Sequence, residues 1–272
     1  MAKTNFDAND LSHLLQATSE IARQAGEAIL QYYRSEYEVF RKEDKSPVTS
    51  ADLADNQIIQ QGLDKISPQL PILSEESELY DFAERKQWGP FWLVDPLDGT
   101  SEFINDRPDF TVNIALIDQQ KPILGVIYLP ADKVLYAAAS GLGASKQIGQ
   151  QAPQPIQIAT QAQQPMRICG GRSTQSEKLI NFIQRLGGQE MLRRGSSLKS
   201  CLVAECSIDL YQRFGPTWEW DTAAAQSIVE EVGGFLTNLQ LEPLQYNKES
   251  LLNPGFLVFA DSSIAWQKLL EQ

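Results

Sequence analysis

Histidine is almost absent from this chain of 272 residues, in which His13 is the only example. A single imidazole in a polar stretch near the N-terminus argues against a Ser-His-Asp triad and against a two-histidine metal site. Any catalytic chemistry is therefore expected to depend on oxygen atoms from carboxylates, hydroxyls and backbone carbonyls.

Two further absences concern thiols and long apolar segments. Cys169, Cys201 and Cys206 show neither CxxC spacing nor nearby histidines, so free thiols are expected rather than disulfides or a zinc site. No run of about 20 apolar residues is present, and the first residues lack the apolar core of a signal peptide. These absences predict a cytoplasmic chain with no transmembrane segment.

Positive charge is also in short supply, since the formal net charge is −12. Binding to a nucleic acid polymer needs an excess of lysine and arginine, so this class of function is not expected. An anionic small molecule is compatible with an acidic protein when a cation bridges the two. The length and hydrophobic content allow one large core or two joined lobes.

The N-terminal half alternates helical and strand patterns. Apolar positions at the helical period predict a helix over residues 11–36, and N-cap candidates near Ser50 start a second helix that ends at about Ile66. Lys121-Pro122 suggests the turn of a hairpin. The predicted strands lie at 71–73, 91–94, 111–117 and 123–128.

The C-terminal half follows a stretch at 147–164 that is rich in glutamine, proline and alanine and is predicted to be a connection. The pattern then predicts a strand, a helix, a helical or buried stretch and a helix, at 166–169, 177–186, 199–208 and 222–231. The whole chain therefore indicates alternating layers of helix and sheet.

The turn Asp95-Pro96-Leu97-Asp98-Gly99-Thr100 follows an apolar strand. Proline ends ladder pairing and glycine permits a tight turn, so both carboxylates could emerge together with the Leu97 carbonyl. Magnesium is usually held by carboxylates, water and substrate phosphate, which this turn could supply. The alternative is an ordinary surface turn, because the same residue types are favoured there for backbone reasons.

Two other acidic segments strengthen the metal hypothesis. Leu73-Ser74-Glu75-Glu76 places adjacent acids directly after a second apolar strand. Trp218-Glu219-Trp220-Asp221 precedes a helix rich in small residues, where Asp221 could instead be a helix N-cap.

These three segments, with Gly233-Gly234, closely resemble the paired signatures of the inositol monophosphatase superfamily. Within it the chain looks most like the CysQ-type 3'(2'),5'-bisphosphate nucleotidases. The segments that add this second resemblance lie at 46–52, 110–115, 195–199, 211–217 and 252–256.

The resemblance implies an α/β (α+β) fold, a layered α/β/α/β/α sandwich of the inositol monophosphatase and fructose-1,6-bisphosphatase type. It implies one catalytic unit of two lobes, at about 1–150 and 151–272, acting as a monomer or homodimer. It also implies two or three Mg²⁺ ions, sensitivity to lithium, and peripheral attachment to the inner membrane as an alternative to a purely cytoplasmic location.

The resemblance also assigns roles to the acidic residues. One Mg²⁺ would bind Glu75, Asp95 and the Leu97 carbonyl, and a second would bind Asp95, Asp98 and Asp221. Thr100 and Asp52 would polarise the attacking water, with helix capping as the rival role of Asp52. The N–H groups of Gly99, Thr100 and Ser101 would open a helix and receive the phosphate.

Ser196, Lys199 and Arg213 are the candidates for the ribose and the second phosphate, with solvated surface charge as the alternative for the two cations. The other expected substrate contacts are Glu75, Leu97, Asp98, Gly99, Thr100 and Asp221. Relatives commonly carry lysine at the position of Ser101 and histidine near Thr174, which puts substrate affinity or specificity in question before the type of reaction. Trp218 and Trp220 could stack on adenine, although core or lobe contacts are more usual for such a pair.

The expected reaction is hydrolysis of adenosine 3',5'-bisphosphate to AMP and phosphate, with the related phosphosulfate nucleotide as a further substrate. This activity would recycle a by-product of sulfate activation. One alternative is an inositol or sugar phosphate phosphatase, which would share every metal ligand. Another is a non-catalytic binder of a metal or nucleotide.

Overall fold

The computed structural model describes residues 6–35, 38–41, 47–172, 177–187 and 191–270. The helices are α1 Ala8–Tyr32, α2 Ser50–Ile66, α3 Phe82–Arg85, α4 Thr100–Ile104, α5 Glu177–Arg185, α6 Leu198–Ala204, α7 Ala223–Glu231 and α8 Trp266–Leu270, with a 3-10 turn at Glu219–Asp221. The strands are β1 Val39–Arg41, β2 Pro47–Thr49, β3 Ile72–Ser74, β4 Phe91–Asp98, β5 Thr111–Asp118, β6 Lys121–Leu129, β7 Val134–Ala139, β8 Gly143–Ile148, β9 Gln154–Pro155, β10 Ile168–Gly170, β11 Met191–Arg193, β12 Leu210–Arg213, β13 Thr217–Trp218, β14 Phe235–Asn238, β15 Leu252–Asn253 and β16 Phe256–Phe259.

The larger sheet has seven strands in the order β3-β4-β5-β6-β7-β8-β9. β3 and β4 are parallel, and the remaining neighbours are antiparallel. Side chains alternate between the faces of β4, so Trp92 and Val94 pack with α1 and α2, whereas Phe91 and Leu93 pack with α7 on the other side. Burial on both faces explains the continuous apolar run of this strand.

The smaller sheet has five strands in the order β11-β10-β12-β16-β14. Helices α6 and α7 lie between the two sheets, where Cys201 and Ile228 belong to the same core as Tyr211 of β12. Helices α5 and α8 cover the outer face through Phe182 and Trp266. Five layers therefore alternate as helix, sheet, helix, sheet and helix, which confirms the predicted sandwich.

The predicted hairpin between β5 and β6 is confirmed, but its turn lies at Gln119 and Gln120 instead of Lys121-Pro122. Both glutamines have positive φ values, of 49° and 63°, as the twist of a two-residue hairpin favours. Pro122 lies within β6 opposite Ile117, next to a register shift where a missing N–H donor is tolerated.

Other boundaries also differ from the sequence predictions. The first helix begins earlier, at Ala8, because Asp7 and Asp10 form a capping box. The predicted connection at 147–164 includes the end of β8 and the short strand β9.

All three cysteines are free thiols, as predicted. In the part of the chain that the structure describes, no helix is long and apolar enough to cross a membrane. The division into lobes near residue 150 stays a prediction.

Candidate active site

The parallel pair β3 and β4 brings two acids to one edge of the larger sheet. Ser74, the last residue of β3, is paired with Val94, so Glu75 leaves β3 beside Asp95, which is still within β4. The Glu75 N–H donates to the Val94 carbonyl at 3.1 Å, which extends the pairing to the start of the loop. Strand pairing alone therefore places these carboxylates side by side.

A register shift between β4 and β5 shapes the turn at residues 95–100, here called the acidic turn. Asp95 is paired with Asn113 and Asp98 with Thr111, so three steps on β4 oppose two on β5. Such an irregularity bends a strand and re-aims its side chains. Gly99 then adopts a φ of 95° and begins α4, and a Cβ there would lie 3.2 Å from the Asp109 carbonyl oxygen. Glycine is therefore required both for the conformation and for the close approach.

Carboxylate oxygens of Glu75, Asp95 and Asp221 all lie within 4.8 Å of one another. Asp95 is 2% exposed, and its Oδ1 atom is buried without a hydrogen-bond partner. The Asp221 side chain also accepts from the Trp218 N–H at 3.0 Å, so it caps its 3-10 turn while it faces the cluster. An all-oxygen set with an unpartnered buried acceptor fits a hard divalent cation.

Electrostatics supports this fit. Burial raises the pKa of Asp95 well above its usual value, and the charges of Glu75, Asp98, Asp221 and Asp52 raise it further. Burial, with the charges of Asp98 and Glu75, raises the pKa of Asp221 to about 8. Carboxylates that repel one another in a dry site are stabilised in their charged form by a cation.

Asp98 is held by two residues whose roles were not predicted from the sequence. Its Oδ2 atom accepts from the Ser197 N–H at 2.6 Å and from the Asn113 amide at 3.2 Å, and the Ser197 hydroxyl lies 2.6 Å away. The same hydroxyl is 2.9 Å from the Asp221 carbonyl, so its one proton serves one of the two acceptors. The segments of both residues contribute to the resemblance, but no pattern in a single sequence identifies this contact.

Thr100 and Asp52 lie together, although they are separated by almost 50 positions in sequence. The Thr100 hydroxyl is 3.2 Å from Asp52 Oδ1 and 3.2 Å from the Leu97 carbonyl. Asp52 Oδ2 accepts from the Thr49 N–H at 2.7 Å and from its hydroxyl at 2.6 Å, which completes the capping box of α2. Burial raises the pKa of Asp52, and the Thr49 and Thr100 hydrogen bonds oppose this shift. Asp52 thus has one oxygen for the cap and one for Thr100.

Of the three predicted substrate residues, two form a unit at the start of α6. Ser196 has a φ of 47°, and its Cβ lies 3.4 Å from where a Cβ of Gly99 would be. Lys199 is only 4% exposed, so the alternative of a solvated surface charge is wrong for this residue. Its Nζ donates to the Ser196 carbonyl at 2.5 Å and lies 5.0 Å from the centre of the Tyr211 ring.

Arg213 is exposed at the end of β12, where its guanidinium donates to the Pro216 carbonyl at 3.3 Å. Its charge lowers the pKa of Asp221, which places it within electrostatic reach of the cluster. Ser101 is exposed on α4, whereas Thr174 lies outside the described residues.

Trp218 and Trp220 stack on each other, with ring centres 5.2 Å apart and planes inclined by 12°. Trp220 is buried at 4% exposure and Trp218 packs against the core between the sheets. Their contacts therefore favour the structural role over a platform for adenine.

Comparison with known proteins identifies related chains. The model of the inositol monophosphatase family matches residues 10–268. The 3'(2'),5'-bisphosphate nucleotidase CysQ of Salmonella typhimurium is 44% identical over 248 residues, which cover 90% of this chain and 99% of the relative.

Solved structures give the same picture. CysQ from Bacteroides thetaiotaomicron, described as a bacterial member of the inositol monophosphatase family, is 38% identical with a TM-score of 0.79, covering 94% of this chain and 98% of its own. An inositol monophosphatase from Anabaena (Nostoc) sp. PCC 7120 is 27% identical with a TM-score of 0.73, covering 97% and 95%.

Proposed function

Because this chain belongs to the inositol monophosphatase family, we propose that it is a metal-dependent phosphatase that acts as a 3'(2'),5'-bisphosphate nucleotidase. Its substrate in this proposal is adenosine 3',5'-bisphosphate, which is hydrolysed to AMP and phosphate, with the phosphosulfate nucleotide as a further substrate. The observation that carries the proposal is the cluster of Glu75, Asp95 and Asp221 within 4.8 Å, beside the contact between Thr100 and Asp52.

The cofactor proposed for this cluster is Mg²⁺, as two or three ions. Glu75, Asp95 and the Leu97 carbonyl would hold one ion, and Asp95, Asp98 and Asp221 would hold another. When bound, such ions neutralise charge on the phosphoryl oxygens and on the attacking and leaving oxygens. The side chains fit this task because they are acidic, close together and buried or half-buried.

The chain supplies its own base for the attacking water. Asp52 Oδ1 accepts from the Thr100 hydroxyl, which frees the threonine oxygen to accept a hydrogen bond from water. The raised pKa of Asp52 makes it a better proton acceptor than an exposed aspartate, while its other oxygen stays in the cap of α2. A hydroxyl and carboxylate relay thus takes the place of histidine.

Substrate recognition is proposed to combine two segments. The N–H groups at the start of α4 receive the scissile phosphate, and Gly99 provides the left-handed conformation from which this helix begins. Ser196, which faces Gly99, and the exposed guanidinium of Arg213 bind the ribose and the second phosphate. Lys199 holds Ser196 in place by donating to the Ser196 carbonyl, and it adds positive charge near the proposed site of the second phosphate.

The nearest rival activity is hydrolysis of an inositol or sugar phosphate, and the departures at Ser101 and Thr174 bear on this choice. The decisive measurement is phosphate release with Mg²⁺ from adenosine 3',5'-bisphosphate and from inositol 1-phosphate, each with and without lithium. We expect a clear preference for the nucleotide and inhibition by lithium. A preference for the inositol phosphate would refute the nucleotidase proposal.

A non-catalytic binder is the remaining alternative. In that case no substrate would be turned over by the native protein, whereas we expect turnover that Asp98→Asn abolishes while the variant stays folded by circular dichroism. The two-lobed catalytic unit, the cytoplasmic or peripheral location and the monomeric or homodimeric state remain predictions.

A further inference from the structure

The 3-10 turn that carries Asp221 also carries a fully buried acid, Glu219. The Glu219 carboxylate accepts from the Asn247 N–H at 2.6 Å and from the Lys248 N–H at 3.0 Å. The Lys248 ammonium group adds a third bond at 2.6 Å and forms an ion pair. The turn is therefore fastened to the loop between β14 and β15 by three charge-assisted bonds.

Lys248 is also linked, through Asn253 of β15, to the residues on both sides of the turn. Lys248 Nζ donates to the Asn253 side-chain oxygen at 2.9 Å. The Asn253 amide donates in turn to the Trp218 carbonyl at 3.1 Å and to the Thr222 hydroxyl at 2.8 Å. Trp218 precedes the turn and Thr222 follows it, so the residues around Asp221 are supported at both ends.

Arg85 connects this loop to α3. It lies on α3, in the segment that leads from Glu75 to β4, and is only 3% exposed. Its guanidinium donates to the Asn247 side chain at 2.8 Å and to the carbonyls of Lys248 and Glu249 at 3.1 and 3.2 Å, and the Asn247 amide returns a bond to the Arg85 carbonyl at 2.8 Å.

Asp221 needs such support for two physical reasons. A 3-10 turn has poorer hydrogen-bond geometry than an α-helix and is a weak frame on its own. Asp221 also faces Asp95, Asp98 and Glu75, whose charges repel it. A metal ligand must nevertheless stay within a few tenths of an ångström of its working position, and partners beyond the ligands provide this control.

We propose that Glu219, Lys248, Asn247, Asn253 and Arg85, here called the Glu219 brace, position Asp221 for metal binding. These are positioning residues, because the bonds described above reach the turn of Asp221 and the residues beside it, and not the Asp221 carboxylate. The inference rests on the proposed metal site and adds to it the residues that hold the ligand Asp221 in place. It assigns the ion pair a role in metal affinity beyond its contribution to stability.

The test measures Mn²⁺ binding by calorimetry and by electron paramagnetic resonance, with the full-length protein and without substrate. We expect Glu219→Gln to raise the Kd for Mn²⁺ about ten-fold, the lower end of the range for residues that support metal ligands. The matched control is Glu205→Gln, because Glu205 forms another ion pair of the same length, with Lys146 at 2.6 Å, at the opposite end of α6 from Ser197. This control should lower the melting temperature in EDTA without changing the Kd.

Arg85→Lys is a milder second variant, which keeps the charge but loses the forked bonds to the loop. It should weaken Mn²⁺ binding by a smaller factor in the same direction, and Lys248→Arg should retain most of the affinity. If Glu219→Gln does not fold, the Kd of Arg85→Lys for Mn²⁺ is the measurement that tests the brace. Wild-type affinity in Glu219→Gln, or in Arg85→Lys where Glu219→Gln does not fold, would overturn the brace. Failure of the wild-type protein to bind Mn²⁺ would refute the metal site itself.

Discussion

The two sides of the candidate site are built in different ways. Glu75, Asp95 and Asp98 lie at the ends of neighbouring strands or on the turn between β4 and α4, within 24 residues of sequence. Ser196 precedes α6, Lys199 lies on α6 and Arg213 on β12, about 100 positions later, and they meet the first side where Ser196 approaches Gly99. Three of the acidic residues are therefore encoded within one short segment, whereas the fourth, Asp221, and the substrate residues depend on how the second half of the chain packs.

The largest expected effect comes from substituting one of the three acidic residues encoded close together, Asp95. We predict that Asp95→Asn lowers kcat/KM by about 100-fold or more, because a ligand of the cation would be lost. The same change should raise the melting temperature of the metal-free protein, since it removes the charge that burial and its neighbours oppose.

The control for this variant is Asp118→Asn. Asp118 is also a buried aspartate with an unpartnered oxygen, but it lies at the opposite end of β5 from Thr111 and the acidic turn. Its kcat/KM should match that of the wild-type enzyme. Retained activity in Asp95→Asn, measured by phosphate release, would show that the cluster is not the catalytic metal site.

A smaller effect on kcat/KM is expected from substituting Arg213, one of the predicted substrate residues of the second half of the chain. Arg213→Ala should raise KM for adenosine 3',5'-bisphosphate by about ten-fold, because a charge-assisted hydrogen bond contributes roughly 1.5–3 kcal/mol. The kcat value should change little, since the lost contact is made equally in the ground and transition states. Arg213→Lys should fall between the two.

A substrate with a single phosphate is the internal control for Arg213→Ala, because it lacks the group that Arg213 is proposed to bind. An equal loss with both substrates would instead indicate that Arg213 acts through Asp221, whose pKa its charge lowers. Arg213 would then belong with the metal ligands and not with the residues that select the substrate.

The smallest effect concerns pH. The pKa of Asp221 is raised to about 8, so the folded metal-free protein favours the protonated carboxyl more than the unfolded chain does. This contribution to stability is complete below the ordinary aspartate value near 4 and is lost as the pH rises through about 8. Melting temperatures in EDTA should therefore fall over this range, and saturating Mg²⁺ should reduce the fall because it binds the charged form.

Asp221→Asn has no titrating group at this position and should show a weaker dependence on pH in EDTA. An identical slope in the variant and the wild-type protein would assign the effect to other carboxyl groups. Either result can be read by scanning calorimetry at fixed ionic strength.

Much of the fold was predictable because the relevant signals are local. The helical period identified α1, α2, α5 and α7, and apolar runs located β3 to β6. The strands β7 and β8 were missed, since alanine-rich and mixed segments show no clear alternation. The hairpin turn was shifted because Pro122 was taken as the turn, although two glutamines with positive φ form it.

The candidate site shows the same limit. Lys199 was predicted as a substrate contact, with a solvated surface charge as the alternative. Its burial beside Ser196 and Tyr211 excludes the alternative, and the substrate contact stays a prediction. Ser197 and Asn113 were not assigned roles, because a hydroxyl or amide that orients a carboxylate carries no distinct sequence signature. Their importance comes from distances of 2.6–3.2 Å to Asp98.

The sequence by itself determined which groups are available for chemistry: one histidine, carboxylates that directly follow apolar strands, and a glycine before Thr100. These follow from residue type and from the two-residue period of a strand, which are properties of short segments. Only the tertiary structure decided that Asp221 joins Glu75 and Asp95, that Asp52 serves both a helix cap and Thr100, and that Glu219 anchors the turn of Asp221. Such pairings depend on the burial of distant apolar surfaces against each other, which no short segment specifies.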